Sequence, residues 1–148
     1  YAIEHGYNSR LDELHASILL KKIEHLDTYI QRRRQLASQY NNMLKNTDLI
    51  LPVEAKYGQH AYYIYVVRHP NRDYIMQELK KNGIIVNISY PWPIHIMTGY
   101  AYLGYKEGDF PVTEKLAKEI FSLPMYPSLT DEQQEIVVEN LKNILKVV

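Results

Sequence analysis

Apolar residues recur at Leu11, Leu14, Ile18, Ile23, Leu26, Ile30, Leu36, Tyr40 and Leu44. This near-helical spacing predicts one long amphipathic helix from Leu11 to about Lys45. At about 1.5 Å per residue it would reach roughly 50 Å. Ser9 is the expected N-cap, with Asp12 three residues on. So long a helix invites a bend, expected at the three arginines 32–34. The pattern then changes period. "HAYYIYVVRH" is dense in β-branched and aromatic residues and predicts a strand over residues 60–69. "NRDYIMQELKKNG" returns to helical spacing, with Asn71 as cap, Ile75 and Leu79 on one face, and Gly83 closing it. "IIVNIS" (residues 84–89) predicts a second strand. Residues 112–122 predict a short helix and "LPMYPSLT" an extended stretch. The last helix follows Thr130, an N-cap with Glu132 or Gln133 in its first turn.

The order αβαβαβα predicts an α+β domain: a long N-terminal helix, then a small sheet covered by helices. No Rossmann glycine pattern marks a parallel sheet, so three mainly antiparallel strands are expected. Residues 1–46 form the helical arm, with residues 7–10 at its N-terminus, and residues 47–148 the small domain.

Composition narrows the function. The 17 basic and 17 acidic residues cancel, which argues against charge-driven nucleic-acid or membrane-surface binding. No apolar run approaches the roughly 20 residues of a membrane span. With no cysteine there is no disulfide framework and no thiolate metal site, which fits a reducing, cytoplasmic setting. The six histidines lack metal-ligand spacing. Tyrosine is abundant, 14 against 2 phenylalanines, and combines an apolar ring with a polar tip. The chain opens on Tyr1 rather than methionine, as expected of the cut end of a longer protein.

Two stretches carry candidate chemistry. In "HGYNSR", Asn8 and Arg10 flank the start of a helix, where free N–H groups and the dipole favour an anion such as phosphate. The same residues also serve as an ordinary cap and a solvated arginine. In "SYPWPIH", Tyr90 and Trp92 each precede a proline and are pushed to extended backbone. A stiff segment of this kind presents Tyr90 or His95 to a polar ligand with little entropy to lose. It equally suits a rigid connector whose aromatics fill the core. The three arginines read as a solvated or intersubunit face.

Taken in order, "GYNSRLDELHASIL", "RRRQLASQYNNML", "YYIYVVRHPNRDYIMQELKKNGI", "YPWPIH" and "LGYKEGDFPVTEKLAKEIFSLPMYPSLTDEQ" resemble the C-terminal part of the DegT/DnrJ-type sugar aminotransferases, from about Glu4 to Leu145. The resemblance implies the small C-terminal domain of an aspartate-aminotransferase-fold enzyme that uses pyridoxal phosphate. Such enzymes move an amino group from glutamate to a keto-sugar nucleotide, as homodimers with active sites at the interface. The Schiff-base lysine belongs to a catalytic N-terminal domain that these residues lack, so no catalytic residue is expected here. By position, Asn8 matches the asparagine that reaches the cofactor phosphate of the neighbouring subunit, with Arg10 beside it. Tyr90 and His95 match the family's Y-P-x-P-x-H, which lines the sugar-nucleotide pocket, and His60 precedes its Y-H-L-Y strand motif. Ser89 and Tyr63 stand where relatives often carry histidine, and "IIVN" replaces a Gly/Thr-rich run. The pattern is nearest to members acting at carbon 3 of a dTDP-3-keto-6-deoxyhexose, for deoxyaminosugar and polysaccharide biosynthesis. A non-catalytic, cofactor-binding regulatory relative and a stand-alone dimerisation module are the alternatives.

Overall fold

A computed structural model describes residues 11–147. The predicted long helix is divided. Helix α1 runs Glu13–Ile23 and α2 Leu26–Leu44. The bend falls at Glu24 and His25, not at the arginines. There His25 leaves helical geometry (φ −109°, ψ 2°), and its N–H reaches back to the Lys22 carbonyl at 3.1 Å. The break marks a change of environment: α1 buries no residue, whereas α2 buries Leu36, Ala37, Tyr40 and Leu44. Asp12, expected inside the first turn, caps α1 by accepting from the His15 N–H at 2.8 Å. The cap expected at Ser9 lies outside the described residues.

The sheet is smaller than expected. Among the described residues it has two strands, β1 (Tyr65–Arg68) and β2 (Ile120–Leu123), paired antiparallel with Tyr65 opposite Leu123 and Val67 opposite Phe121. The expected strand over residues 84–89 contributes only a bridge, Asn87 to Ser122. A similar bridge joins Ile50 to Arg68 on the other side. The expected strand over residues 60–69 shortens because side chains from α2 capture residues 60–63 in a loop. The strand following helix α4 (Pro111–Glu119) starts earlier than its apolar pattern suggested, at Ile120. Thus the α+β class stands, with two strands instead of three.

Local signals that the sequence carries are realised elsewhere. Helix α3 (Arg72–Lys81) buries Ile75 and Leu79. Gly83 closes it at φ +77°, a left-handed position that glycine reaches without steric cost. The Ile84 N–H bonds the Leu79 carbonyl and the Gly83 N–H bonds that of Lys80, at 2.9 and 3.0 Å, a Schellman closure. Helix α5 (Asp131–Leu145) starts on a full capping box, Thr130 with Gln133.

The core lies between the sheet and helices α2, α3 and α5. Tyr65, Val67, Phe121 and Leu123 fill one side, facing Leu36, Tyr40, Leu79, Val138 and Leu141. Each such side chain contributes about 1.5–3 kcal/mol by burial. Its polar atoms are paired: the Tyr40 hydroxyl donates to the Pro124 carbonyl at 3.0 Å, and the Tyr65 hydroxyl to Asn41 Oδ1 at 2.6 Å. Gln134, also buried, donates to the Leu36 carbonyl at 2.8 Å.

Candidate functional site

The three arginines of α2, read as a solvated or intersubunit face, are not simply solvated. Each fastens a different loop of its own chain. Arg32 donates to the Leu129 carbonyl (2.6 Å) and to Asp131 (2.8 Å) at the entry of α5. Arg33 donates to the carbonyls of Tyr63 (2.8 Å), Met125 (2.9 Å) and Tyr62 (3.3 Å). Arg34 makes a two-pronged pair with Glu54 (2.6 and 3.1 Å) and donates to the His60 carbonyl at 2.7 Å. The Arg34 hydrogen bonds, more than any other cause, hold the Glu54 carboxyl down at about 2.

These contacts shape residues 60–63. The His60 N–H donates to Glu54 at 2.6 Å, and His60 Nδ1 accepts from the Tyr62 N–H at 2.8 Å. That bond places the proton of a neutral ring on Nε2. Tyr62 sits at φ +48°, a left-handed position in which a bulky residue is strained. The strain is held by Arg33 on two successive carbonyls. Tyr63 is thereby turned outward, 78% exposed, with the Arg33 guanidinium 5.7 Å from its ring centre. Tyr63 borders both a groove of about 570 Å³, shared with Leu26, Tyr29, Ala61 and Pro127, and a smaller hollow of about 190 Å³ beside Asn87, Ser89 and Ser122.

The double-proline segment leads into a long loop with two 3₁₀ turns, Ile94–Ile96 and Thr98–Leu103. Pro93 is extended (φ −61°, ψ 131°) and buried. Tyr90 and Trp92 project outward, 78% and 69% exposed. His95 turns inward: its side chain is 8% exposed, and its Nε2 lies 2.9 Å from Glu114 Oε1. Its ring meets the edge of Phe110 at 4.8 Å, and Phe110 meets Tyr105 at 5.1 Å. Glu114 also accepts from the Gly108 N–H on both oxygens (2.8 and 3.0 Å) and from the Phe110 N–H at 3.4 Å. Its carboxyl is held below the ordinary range, chiefly by the hydrogen bond to His95.

Of the residues singled out in the sequence, Asn8 and Arg10 lie outside the described residues. Tyr90 stands exposed. His95 is a buried partner of Glu114, and His60 is engaged in the Glu54–Arg34 loop. Sequence reasoning missed Glu114, Arg33 and the Tyr62 strain. For Glu114 one local signal exists: a carboxylate in the first turn after Phe110-Pro111, poised to reach back to free N–H groups. Among the described residues, no His/Cys/Asp/Glu cluster is placed to hold a metal, and no helix is long and apolar enough to cross a membrane. A pyridoxal phosphate needs several donors for its phosphate. The α2 arginines are committed to carbonyls and carboxylates of their own chain, so they are not the donors such a phosphate would need.

The description "DegT/DnrJ/EryC1/StrS aminotransferase family" matches residues 1–142. The chain belongs to this family. It is 49% identical over 145 residues to a dTDP-3-amino-3,4,6-trideoxy-alpha-D-glucose transaminase of Micromonospora megalomicea subsp. nigra, covering 95% of this chain and 39% of that protein. It is 45% identical over 139 residues to a pleiotropic regulatory protein of Geobacillus stearothermophilus, covering 92% and 37%. The crystal structure of S. venezuelae DesV in complex with a ketimine intermediate superposes with a TM-score of 0.92 at 33% identity, over 99% of this chain and 40% of that one. The chain therefore spans well under half the length of these family members.

Proposed function

We propose that this chain is the C-terminal part of a pyridoxal-phosphate-dependent aminotransferase that moves an amino group from glutamate to a dTDP-3-keto-6-deoxyhexose. The observation that carries the proposal is the 49% identity to a dTDP-aminosugar transaminase across nearly the whole chain. Pyridoxal phosphate, where bound, carries the amino group and supplies the electron sink. The residues of this chain bind and orient. Asn8, with Arg10 beside it, grips the cofactor phosphate of the neighbouring subunit, and Tyr90, His95 and His60 border the nucleotide sugar. The protein acts as a cytoplasmic homodimer. In support, α1 buries no residue and leaves Leu14, Ile18, Leu20 and Ile23 exposed on both sides of the helix, apolar surface that would be covered by other protein. Lacking the Schiff-base lysine, the chain alone carries out no transamination.

The test is an assay of the full-length protein with glutamate against 3-keto and 4-keto dTDP sugars. Turnover of the 3-keto sugar is expected. Turnover of the 4-keto sugar alone would reassign the ring position, and turnover of neither would overturn the proposal. In the same protein, Asn8→Ala is expected to weaken cofactor retention by about 1–3 kcal/mol, as for a lost hydrogen bond to a charged group. Equilibrium dialysis against the cofactor reads this. A second reading, a regulatory relative that keeps the fold without transamination, draws on the Geobacillus stearothermophilus relative named as a pleiotropic regulatory protein. Absence of the Schiff-base lysine from the full-length sequence would favour it.

A further inference from the structure

We propose that Glu114 is the positioning residue of the sugar-facing loop and sets affinity for the nucleotide sugar through His95. The proposal rests on the reading of Tyr90 and His95 as the border of the sugar-nucleotide pocket. Its basis is geometric. One carboxylate ties the two ends of the loop together: His95 Nε2 at 2.9 Å near its start, and the Gly108 N–H at 2.8 and 3.0 Å and the Phe110 N–H at 3.4 Å near its end. Gly108 bends back at φ +96°, which brings its N–H to the carboxylate. No regular strand or α-helix lies between α3 and α4, and the one bridge there, Asn87 to Ser122, precedes Tyr90, so backbone ladders do not hold this loop. Glu114 itself is fixed, being in the first turn of α4 and 12% exposed.

The consequences run from the carboxylate outward. An ionised Glu114 only accepts, so His95 Nε2 carries a proton and donates to it. This fixes the orientation of the imidazole, whose edge-on contact with Phe110 then carries the constraint to Tyr105. Pro93, buried two residues before His95, anchors the backbone that bears Trp92 and Tyr90. The backbone carrying the exposed rings is therefore held at both His95 and Pro93 in the absence of ligand. A preorganised edge of this kind lowers the entropy lost when a ligand binds. A slack loop would bind more weakly without altering chemistry elsewhere.

The experiment uses the full-length holoenzyme and its Glu114→Gln and Glu114→Ala variants. Three readouts are taken: KM for the keto-sugar nucleotide, the rate of the half-reaction with glutamate, and hydrogen exchange at the Gly108 and Phe110 amides. For Glu114→Ala the expected result is a rise of about tenfold in KM, the size of one lost charged hydrogen bond. The glutamate half-reaction should change less than about twofold, and both amides should exchange faster. Glu114→Gln, which keeps an accepting oxygen, should fall between the two. Equal loss in both half-reactions, or unchanged exchange at both amides, would overturn the proposal. If Glu114→Ala does not fold, His95→Gln, which keeps a side-chain donor, must retain a KM nearer to that of the parent than His95→Ala does, or the proposal fails. Should the parent protein lack transamination altogether, thymidine diphosphate binding by calorimetry replaces KM. Weaker binding by Glu114→Ala then upholds the latch even as the proposed activity falls, and equal binding overturns it.

Discussion

Two aromatic columns run through this molecule, and they are held in opposite ways. The first begins at Tyr40 in the core, meets Tyr65 at 4.9 Å, passes to Tyr62 at 6.2 Å, and ends on His60 at 4.4 Å. Its inner members, Tyr40 on α2 and Tyr65 on β1, are fully buried on regular elements. The second, His95–Phe110–Tyr105, belongs to a loop and reaches the surface, and its inner end is held by one carboxylate. In the first column, shape follows from packing density and is distributed over many contacts. In the second it depends on a few directional bonds, so it can be lost without unfolding the domain. The abundance of tyrosine serves both columns, by burying a ring with a bonded hydroxyl in one and lining a solvent-facing loop in the other.

The sharpest break of this contrast is Tyr40→Ala. Emptying a fully buried aromatic site is expected to destabilise the protein by about 3–5 kcal/mol, read by denaturant unfolding. A loss below about 1 kcal/mol would mean that the core column is no more tightly held than the loop. Next in size is Arg33→Met, which keeps the stem and removes the three-carbonyl clamp. A loss of about 1–2 kcal/mol is expected, from two partly buried carbonyls left unpaired, with faster amide exchange spreading from Tyr63. Unchanged exchange there would show that the Tyr62 conformation stands without its clamp.

The pH dependence separates the two ends of the core column. At its surface end, Glu54 is depressed from 4.5 to about 2. Such a group stabilises the folded state above its unfolded value and loses that contribution as pH falls from 4.5 toward 2. Glu54→Gln should lower the melting temperature at neutral pH, where this contribution is complete, and flatten its fall over the acid interval. At the inner end, burial raises the hydroxyls of Tyr40 and Tyr65 above the ordinary phenol value of 10.0. Their contribution is complete below 10.0 and declines above it, so alkaline unfolding should begin there. Smallest in stability is Tyr90→Phe or Trp92→Ala, expected to shift unfolding by less than about 0.5 kcal/mol, as at other exposed sites. Either should instead weaken nucleotide-sugar binding, measured by calorimetry in the full-length protein. A large fall in melting temperature would place these rings in the fold rather than at its edge.

What the sequence disclosed and what it withheld follow the range of the interactions. Thr130 with Gln133, and Gly83 after Lys81, define helix ends within a few residues, and both were legible. The α1–α2 break was not, because nothing local at Glu24–His25 contradicts helix; the change lies in what each half packs against. The shortened strand at residues 60–63 has a similar origin. Its β-rich composition was overridden by arginines 26–30 residues earlier. Tyr90 and His95 looked alike on one stiff segment, yet one points to solvent and the other to Glu114. That 19-residue separation leaves no periodic trace.

The pairing of Tyr65–Arg68 with Ile120–Leu123 has an evolutionary consequence. It pins both ends of a long excursion, in which α3 packs Ile75 and Leu79 into the core and Asn87 bridges to Ser122, so the part least tied to the scaffold is the loop over residues 90–110. Doubling the length of such a closed segment adds only about 0.6 kcal/mol of closure entropy. A lineage can therefore exchange that loop for another while the two short strands stay where they are.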